Sequence, residues 1–417
     1  MTQPAAARLM DGLRRHFLPA WWRRIIILLF MTATVVAIPV SLSVTQILLA
    51  VAVVCGAVAY PVLRFPSWLP LPRFYWPIVG FIVWSVVSAL CSDAPLLSLF
   101  HLKKLLLLFL IPMLLMVLDR PAQSRTFLLL LLATMTLSAG VGLVQFVTAT
   151  EPLYRIHGLM SHHMTFSGQL MLALTALLPL LLLEFGARRT GWPLLLAAAL
   201  LLAAALVFTL TRGCWIGFGF GAAAALLLTR PRWLLAAPVV LAVVLLVAPG
   251  LVRDRVRHLL DPAEAGNAAR LDMLRTGARI VADRPLVGVG PRMIDQYIYR
   301  YGADPHIRPD FYQHLHNNII QIAAERGLPA LACWLWLLAQ IVVDHWRRFR
   351  TLRAGPADPG ATLWPVLAIA VTVALFVGGL FEYNFGDSEV LLMYCALISL
   401  AYVPVLRPGT DHEHTAA

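Results

Sequence analysis

Twelve times along this chain a run of some twenty residues is almost wholly apolar, and nothing else in it narrows the fold so far. A backbone crossing hydrocarbon must satisfy its own N–H and C=O groups, so runs of this length read as membrane-spanning helices. They fall at roughly 25–41, 44–63, 75–91, 103–118, 126–148, 164–184, 192–211, 214–229, 233–250, 318–343, 362–381 and 388–406. The chain is 60% hydrophobic and 13% charged, where soluble domains carry about 45–50% apolar and about 25% charged residues. Lipid must therefore serve as part of the solvent. The fold class expected is an all-α polytopic membrane protein with about twelve spans.

Charge placement supplies an independent test. The net charge of +12 invites a nucleic-acid reading, but the bases are not gathered on a soluble module, so no nucleic-acid partner is expected. With the N-terminus inside, Arg23, Arg24, Arg64, Arg73, Arg120, Arg125, Arg188, Arg189, Arg230, Arg232, Arg347, Arg348, Arg350, Arg353 and Arg407 all fall on inside segments. The short outside loops hold only Lys103 and Lys104 at a helix start, Arg155 and Arg212. Such asymmetry is what topology selection produces. The first run follows basic residues without a small-residue cleavage site, so it reads as an uncleaved span. The five cysteines, Cys55, Cys91, Cys214, Cys333 and Cys395, lie in or beside apolar runs and read as packing residues.

The organisation that follows is spans one to nine over 1–250, one long outside loop over 251–317, spans ten to twelve over 318–406, and a short inside tail over 407–417. The long loop keeps ten arginines. Within it, 268–282 has helical apolar spacing, with Asn267 placed to cap its start. DRPLVGVGP (283–291) reads as a turn, and Gly327 with Pro329 predicts a kink at the tenth span.

Arginine at membrane depth is costly and is kept where an anion meets it, and its planar fork suits phosphate. Arg155, Arg212, Arg270, Arg275, Arg279 and Arg292 are therefore candidates for a phosphate or pyrophosphate clamp. The competing reading gives the loop arginines to anionic headgroups. Arg212, in TLTRGCWIG, has no acid near it in sequence, which favours the functional reading. GVGP (288–291) is a tight turn or, alternatively, an amide pocket for phosphate. HLHN (314–317) offers His314, His316 and Asn317 at a helix mouth, as proton acceptors or as a cap with interfacial histidines. No nearby Asp or Cys completes a metal site with the two histidines, so no metal is expected. His157, His162 and His163 in one outside loop, and Glu382, Asp387 and Glu389 in another, complete a polar vestibule on one side.

TLTRGCWIG, NAARLDMLRTGARIVADRPLVGVGP and HLHNNIIQIAAERGLPAL, in that order and on that side, resemble the O-antigen ligase/polymerase superfamily. The single large outside loop and the stretch RIHGLMSHHMTFSG (155–168) are most similar to its ligase branch. The resemblance implies a GT-C-like, metal-independent, inverting membrane glycosyltransferase of the bacterial inner membrane, with both termini cytoplasmic, the loop and active site periplasmic, and no cofactor. The implied partners are undecaprenyl-pyrophosphate-linked O-antigen as donor, lipid A–core oligosaccharide as acceptor, and the surrounding membrane lipids. It assigns Arg212 and one or more of Arg270, Arg275 and Arg279 to the donor diphosphate, and His316 to the acceptor hydroxyl.

Rival readings are a polymerase or a protein O-oligosaccharyltransferase of the same superfamily, a lipid-linked glycan flippase, and a structural scaffold. A flippase predicts broken helices and charges at mid-membrane, whereas here the span centres are nearly charge-free.

Overall fold

The computed structural model describes residues 20–59, 72–151, 154–187, 190–238, 246, 250–257, 265–303, 313–355 and 360–406. The basic leader, Arg64, Arg188, Arg189, Arg308, most of the ninth apolar run and the tail from 407 lie outside these residues. Helices and turns make up everything described, and no strand occurs among the described residues.

Eleven of the expected runs are helices. They are α1 (Ala20–Ala37), α2 (Leu42–Ala59), α3 (Tyr75–Leu90), α4 (Pro95–Val117), α5 (Pro121–Thr148), α6 (His163–Gly186), α7 (Trp192–Phe208), α8 (Arg212–Thr229) and, after the long loop, α11 (Asn318–Ala354), α12 (Leu363–Gly378) and α13 (Ser388–Leu406). Six of them are long and apolar enough to cross a bilayer, and the other five are shorter apolar helices. The long loop contributes α9 (Gly250–Arg257) and α10 (Ala265–Asp283). The chain is a multi-pass, all-helical membrane protein.

Helices apolar on every face must be surrounded, and α6 and α13 form that centre: Val390 through Val403 are buried without a break. Peripheral helices keep large apolar side chains outward instead. Leu29, Val58, Leu137, Val147 and Leu194 are 64–83% exposed, a surface that only lipid covers at no cost. Close packing needs small residues where lipid removes the hydrophobic drive between helices. Accordingly α8 lies along α12 through Gly217 and Gly221, where an added Cβ would come within 2.9 Å of the Ala374 carbonyl and 3.0 Å of the Ala370 carbonyl.

The two edges of the bundle differ. One carries ion pairs between Arg24 and Asp119 (2.5 Å) and between Arg125 and Glu184. The other gathers the starts of α6, α8, α11 and α13 and the ends of α3, α5, α7 and α12. The long loop rises from this second edge, and α10 packs against α11.

The expected kink is present. Gly327 (φ 81°, ψ 169°) is non-helical, so α11 is broken there. The break frees carbonyls, and the 284–292 turn takes them: the amides of Val289 and Gly290 donate to the carbonyls of Ala324 (2.9 Å) and Glu325 (2.8 Å), and Leu328 N–H donates to Pro285 (2.7 Å). Ser88 Oγ on α3 donates to the Val287 (2.6 Å) and Glu325 (3.0 Å) carbonyls. GVGP is thus a tight turn whose Val289 and Gly290 amides are committed to the broken helix, and the amide-pocket reading of it falls.

Candidate active site

At the second edge the helix ends enclose a cavity of about 730 Å³. It is lined from four directions: His101 and Lys104 on α4, Arg155 and His162–Thr165 before and within α6, Arg292, His314 and His316 of the loop with Glu325 and Arg326 of α11, and Glu382, Tyr383 and Asp387 between α12 and α13.

His316 is among the lining residues. The Asn317 side chain caps α11 by accepting from the amides of Ile319 (2.9 Å) and Ile320 (3.1 Å), and it donates to the Leu380 carbonyl (2.9 Å). An Asn at an N-cap is a structural device, so Asn317, expected to bind substrate, instead fixes the backbone that carries His316. His316 Nδ1 is 2.7 Å from Glu382 Oε2, and His314 Nδ1 is 3.5 Å from Glu382 Oε1. Burial alone would raise the Glu382 carboxyl, but the hydrogen bond and charge of His316, then His314 and Arg270, bring it down to about 2. Burial pushes His314 down to about 4 and also lowers His162. An ionised carboxylate on Nδ1 fixes the tautomer of a neutral imidazole and leaves Nε2 as the proton acceptor.

The sequence placed Glu382 in the outside vestibule but gave no sign of its pairing with His316, because 66 residues separate the two. The expectation that no nearby Asp or Cys completes a metal site with the two histidines left out a distant Glu: His314, His316 and Glu382 hold their ligand-type atoms within 4.8 Å of one another. Both imidazoles turn Nδ1 toward the carboxylate, the arrangement of a hydrogen-bonded dyad with a second histidine beside it.

The arginines part company. Arg155 lines the cavity, but its guanidinium donates to the carbonyls of Thr209 (2.9 Å) and Leu210 (3.4 Å) and to Thr211 Oγ1 (3.0 Å). It holds the turn that delivers Arg212. Arg212 opens α8 and donates to Asn267 Oδ1 at 3.0 Å. Asn267 therefore sits inside the first turn of α10, serving Arg212 rather than capping the helix as expected. Gly213, next to Arg212, packs on Phe381, where an added Cβ would come within 2.6 Å of the Phe381 Cβ, and Phe381 precedes Glu382. Arg212 and His316 thus flank one stretch of chain on the same edge. Arg270 is close enough to Glu382 to act on its charge. Arg275 is exposed and is not among the cavity residues. Arg279 turns away to donate to the Tyr301 carbonyl (2.9 Å). None of Arg212, Arg270, Arg275 and Arg279 is among the cavity-lining residues; Arg212 and Arg270 are tied to the site through the Phe381–Glu382 stretch, and Arg275 and Arg279 are not. Arg292 does line the cavity, with its amide on Glu325 Oε1 at 2.9 Å and its guanidinium 3.4 Å from Gln313.

Beneath them lies a buried pair that sequence reasoning also passed over. Arg326 donates to Glu325 and, at 3.3 Å, to the Tyr383 hydroxyl. Among the described residues, the non-glycine residues with positive φ are Leu210 (55°), Arg292 (63°) and His316 (47°). All three stand at this cavity or its rim. Strained backbone persists only where its surroundings over-determine it, and it concentrates at functional sites.

Residues 197–335 match the family model described as O-Antigen ligase. The matched stretch runs from α7 past the break in α11 and contains Arg212, the loop helices, His316, Glu325 and Arg326. The match supports membership of the O-antigen ligase superfamily. No curated protein matches the chain.

Proposed function

We propose that the chain is an O-antigen ligase: a metal-independent, inverting glycosyltransferase that moves a glycan from undecaprenyl diphosphate to a sugar of lipid A–core. The observation that carries this reading is the Glu382–His316 dyad, set in a cation-lined cavity at the edge of the bundle opposite the basic loops. By the positive-inside rule, that edge is the periplasmic face of the inner membrane, with both termini cytoplasmic and the 251–317 loop periplasmic.

The step balances without a cofactor. His316 Nε2 takes the proton of an acceptor hydroxyl as its oxygen attacks the anomeric carbon. The bond from that carbon to the diphosphate oxygen breaks, and the diphosphate leaves with the electron pair. One direct displacement inverts the anomeric centre. Charge growing on the leaving group is met by Arg212 and Arg270, whose planar donors need no rearrangement as it develops. Glu382 keeps the imidazole oriented and stabilises the imidazolium that forms.

The test is transfer by the purified chain in detergent, given lipid-linked glycan and lipid A–core, without ATP. A new glycosidic bond on lipid A–core supports the ligase. Extension of a second lipid-linked glycan instead identifies a polymerase, and movement without bond formation a flippase.

A further inference from the structure

The displacement above draws on Arg212, whose turn Arg155 braces, and on Arg270, which acts on Glu382. It leaves unused three basic groups that line the cavity itself, Lys104, His101 and Arg292. Lys104 and His101 come from α4, which by sequence reads as a span with two lysines at its start.

Their spacing on the helix explains their convergence. From Leu102 to Phe109 the helix is 3-10, with His101 at its N-cap. At three residues per turn, positions i and i+3 eclipse, so His101 and Lys104 stack on one side, and both line the cavity. An α-helix would set the same pair about 60° apart, still on one face, so the 3-10 winding only tightens a juxtaposition that the spacing itself provides. Arg292 arrives by a second unusual device: its backbone is held left-handed at φ 63° with its amide on the Glu325 carboxylate, and its guanidinium reaches the cavity.

These groups stand near enough for Arg292 to act on the charges of both Lys104 and His101. Of the three acids that act on Lys104, two are committed elsewhere and the third is Glu389. Glu325 is paired with Arg326, and Asp387 accepts from Thr165 (2.5 Å) and from the amides of Glu389 and Val390 (both 3.1 Å). Lys104 itself donates to a neutral carbonyl, that of Gly386, at 3.0 Å. Like charges held together by a 3-10 stretch and a strained turn are kept where an anion bridges them.

We propose that Lys104, His101 and Arg292 form a second anion subsite that seats a phosphate carried by the acceptor, separate from the arginines assigned to the donor diphosphate. The proposal rests on the glycosyltransferase reading for its ligand. Point charge, imidazole and forked guanidinium together match the tetrahedral oxygens of a phosphate. The subsite would swing the acceptor hydroxyl toward His316 while keeping the donor's phosphates out by occupancy.

The experiment measures binding as well as transfer, so that the two readings can fail separately. Purified full-length protein in detergent is titrated with core oligosaccharide, either intact or dephosphorylated with aqueous hydrogen fluoride. Wild type is expected to bind the intact form at least tenfold more tightly. Lys104→Gln and Arg292→Gly, the latter relaxing the left-handed backbone, should each bring intact binding down to the dephosphorylated level. Lys104→Arg should restore most of it. In the transfer assay Lys104→Gln should raise the acceptor KM at unchanged donor KM. Equal binding of both oligosaccharides by wild type, or a donor KM that rises with the acceptor KM, overturns the subsite whether or not transfer occurs. Discrimination in binding without any transfer would instead refute the glycosyltransferase reading.

Discussion

Replacing Glu382 by Gln keeps the shape of the side chain and removes its charge, which isolates what the carboxylate does for His316. The substitution weakens a charge-assisted hydrogen bond of 2.7 Å in a pocket where Glu382 is only 13% exposed. Hydrogen bonds to charged groups contribute about 1.5–3 kcal/mol. If about 2 kcal/mol of that bond is felt in the transition state, where the imidazole becomes cationic, kcat falls roughly 30-fold. His316→Ala removes the base itself and should cost roughly 10²–10⁴. The assay is the initial rate of glycan transfer at saturating donor and acceptor. Because Glu382 acts through His316, the double variant should be no slower than His316→Ala alone. Additive losses, or a Glu382→Gln enzyme within twofold of wild type, would refute the orienting role.

The other predictions follow from the same geometry. Arg212→Ala should lower kcat by roughly 10²–10³, as loss of a donor to developing charge does, whereas Arg275→Ala and Arg279→Ala, lying away from the cavity, should remain within twofold. Prolonged dialysis against EDTA should leave the transfer rate unchanged; loss of activity restored by Zn²⁺ would show that His314, His316 and Glu382 hold a metal instead. The folded chain keeps His314 neutral down to about pH 4, while an unfolded histidine takes its proton near 6.5. The folded state thus binds fewer protons, so thermal stability should fall as pH drops from about 6.5 to about 4, by about 3 kcal/mol in all. His314→Gln should flatten that limb in a melting series, and a wild-type curve already flat over that range would contradict the burial argument. Gly327→Ala places a Cβ against the Leu286 carbonyl in a backbone region open essentially to glycine. It should cost at least about 2 kcal/mol, read as a lower melting temperature together with lost transfer.

Apolar run length announces the helices, because hydrocarbon leaves a backbone no other way to satisfy itself. The kink at Gly327 is legible too, since glycine and proline act locally. What no local rule can supply is which polar residues meet. Glu382 reaches His316 only because α12 and α13 pack beside the break in α11, and Lys104 meets Arg292 only because the 291–292 turn packs on α4, where Ser98 Oγ donates to the Pro291 carbonyl at 3.1 Å.

Helical geometry is enough to sort the arginines of α10. At 100° per residue, Arg275 lies about 140° around the helix from Arg270, and Arg279 about 180°. One cavity on one side of a helix cannot be served by all three, so keeping Arg270, Arg275 and Arg279 together contradicts the very periodicity that identifies the helix. With Met273, Thr276 and Ile280 buried against the rest of the protein and Arg275 and Arg279 exposed, the buried stripe selects Arg270, and its influence on Glu382 is the electrostatic trace of that choice. Exchanging positions tests the same geometry from the other direction: in an Arg270→Ala background, a new arginine one turn on, at Leu274, should recover more transfer than one at Leu271. Better recovery at Leu271 would place the diphosphate on the other side of α10.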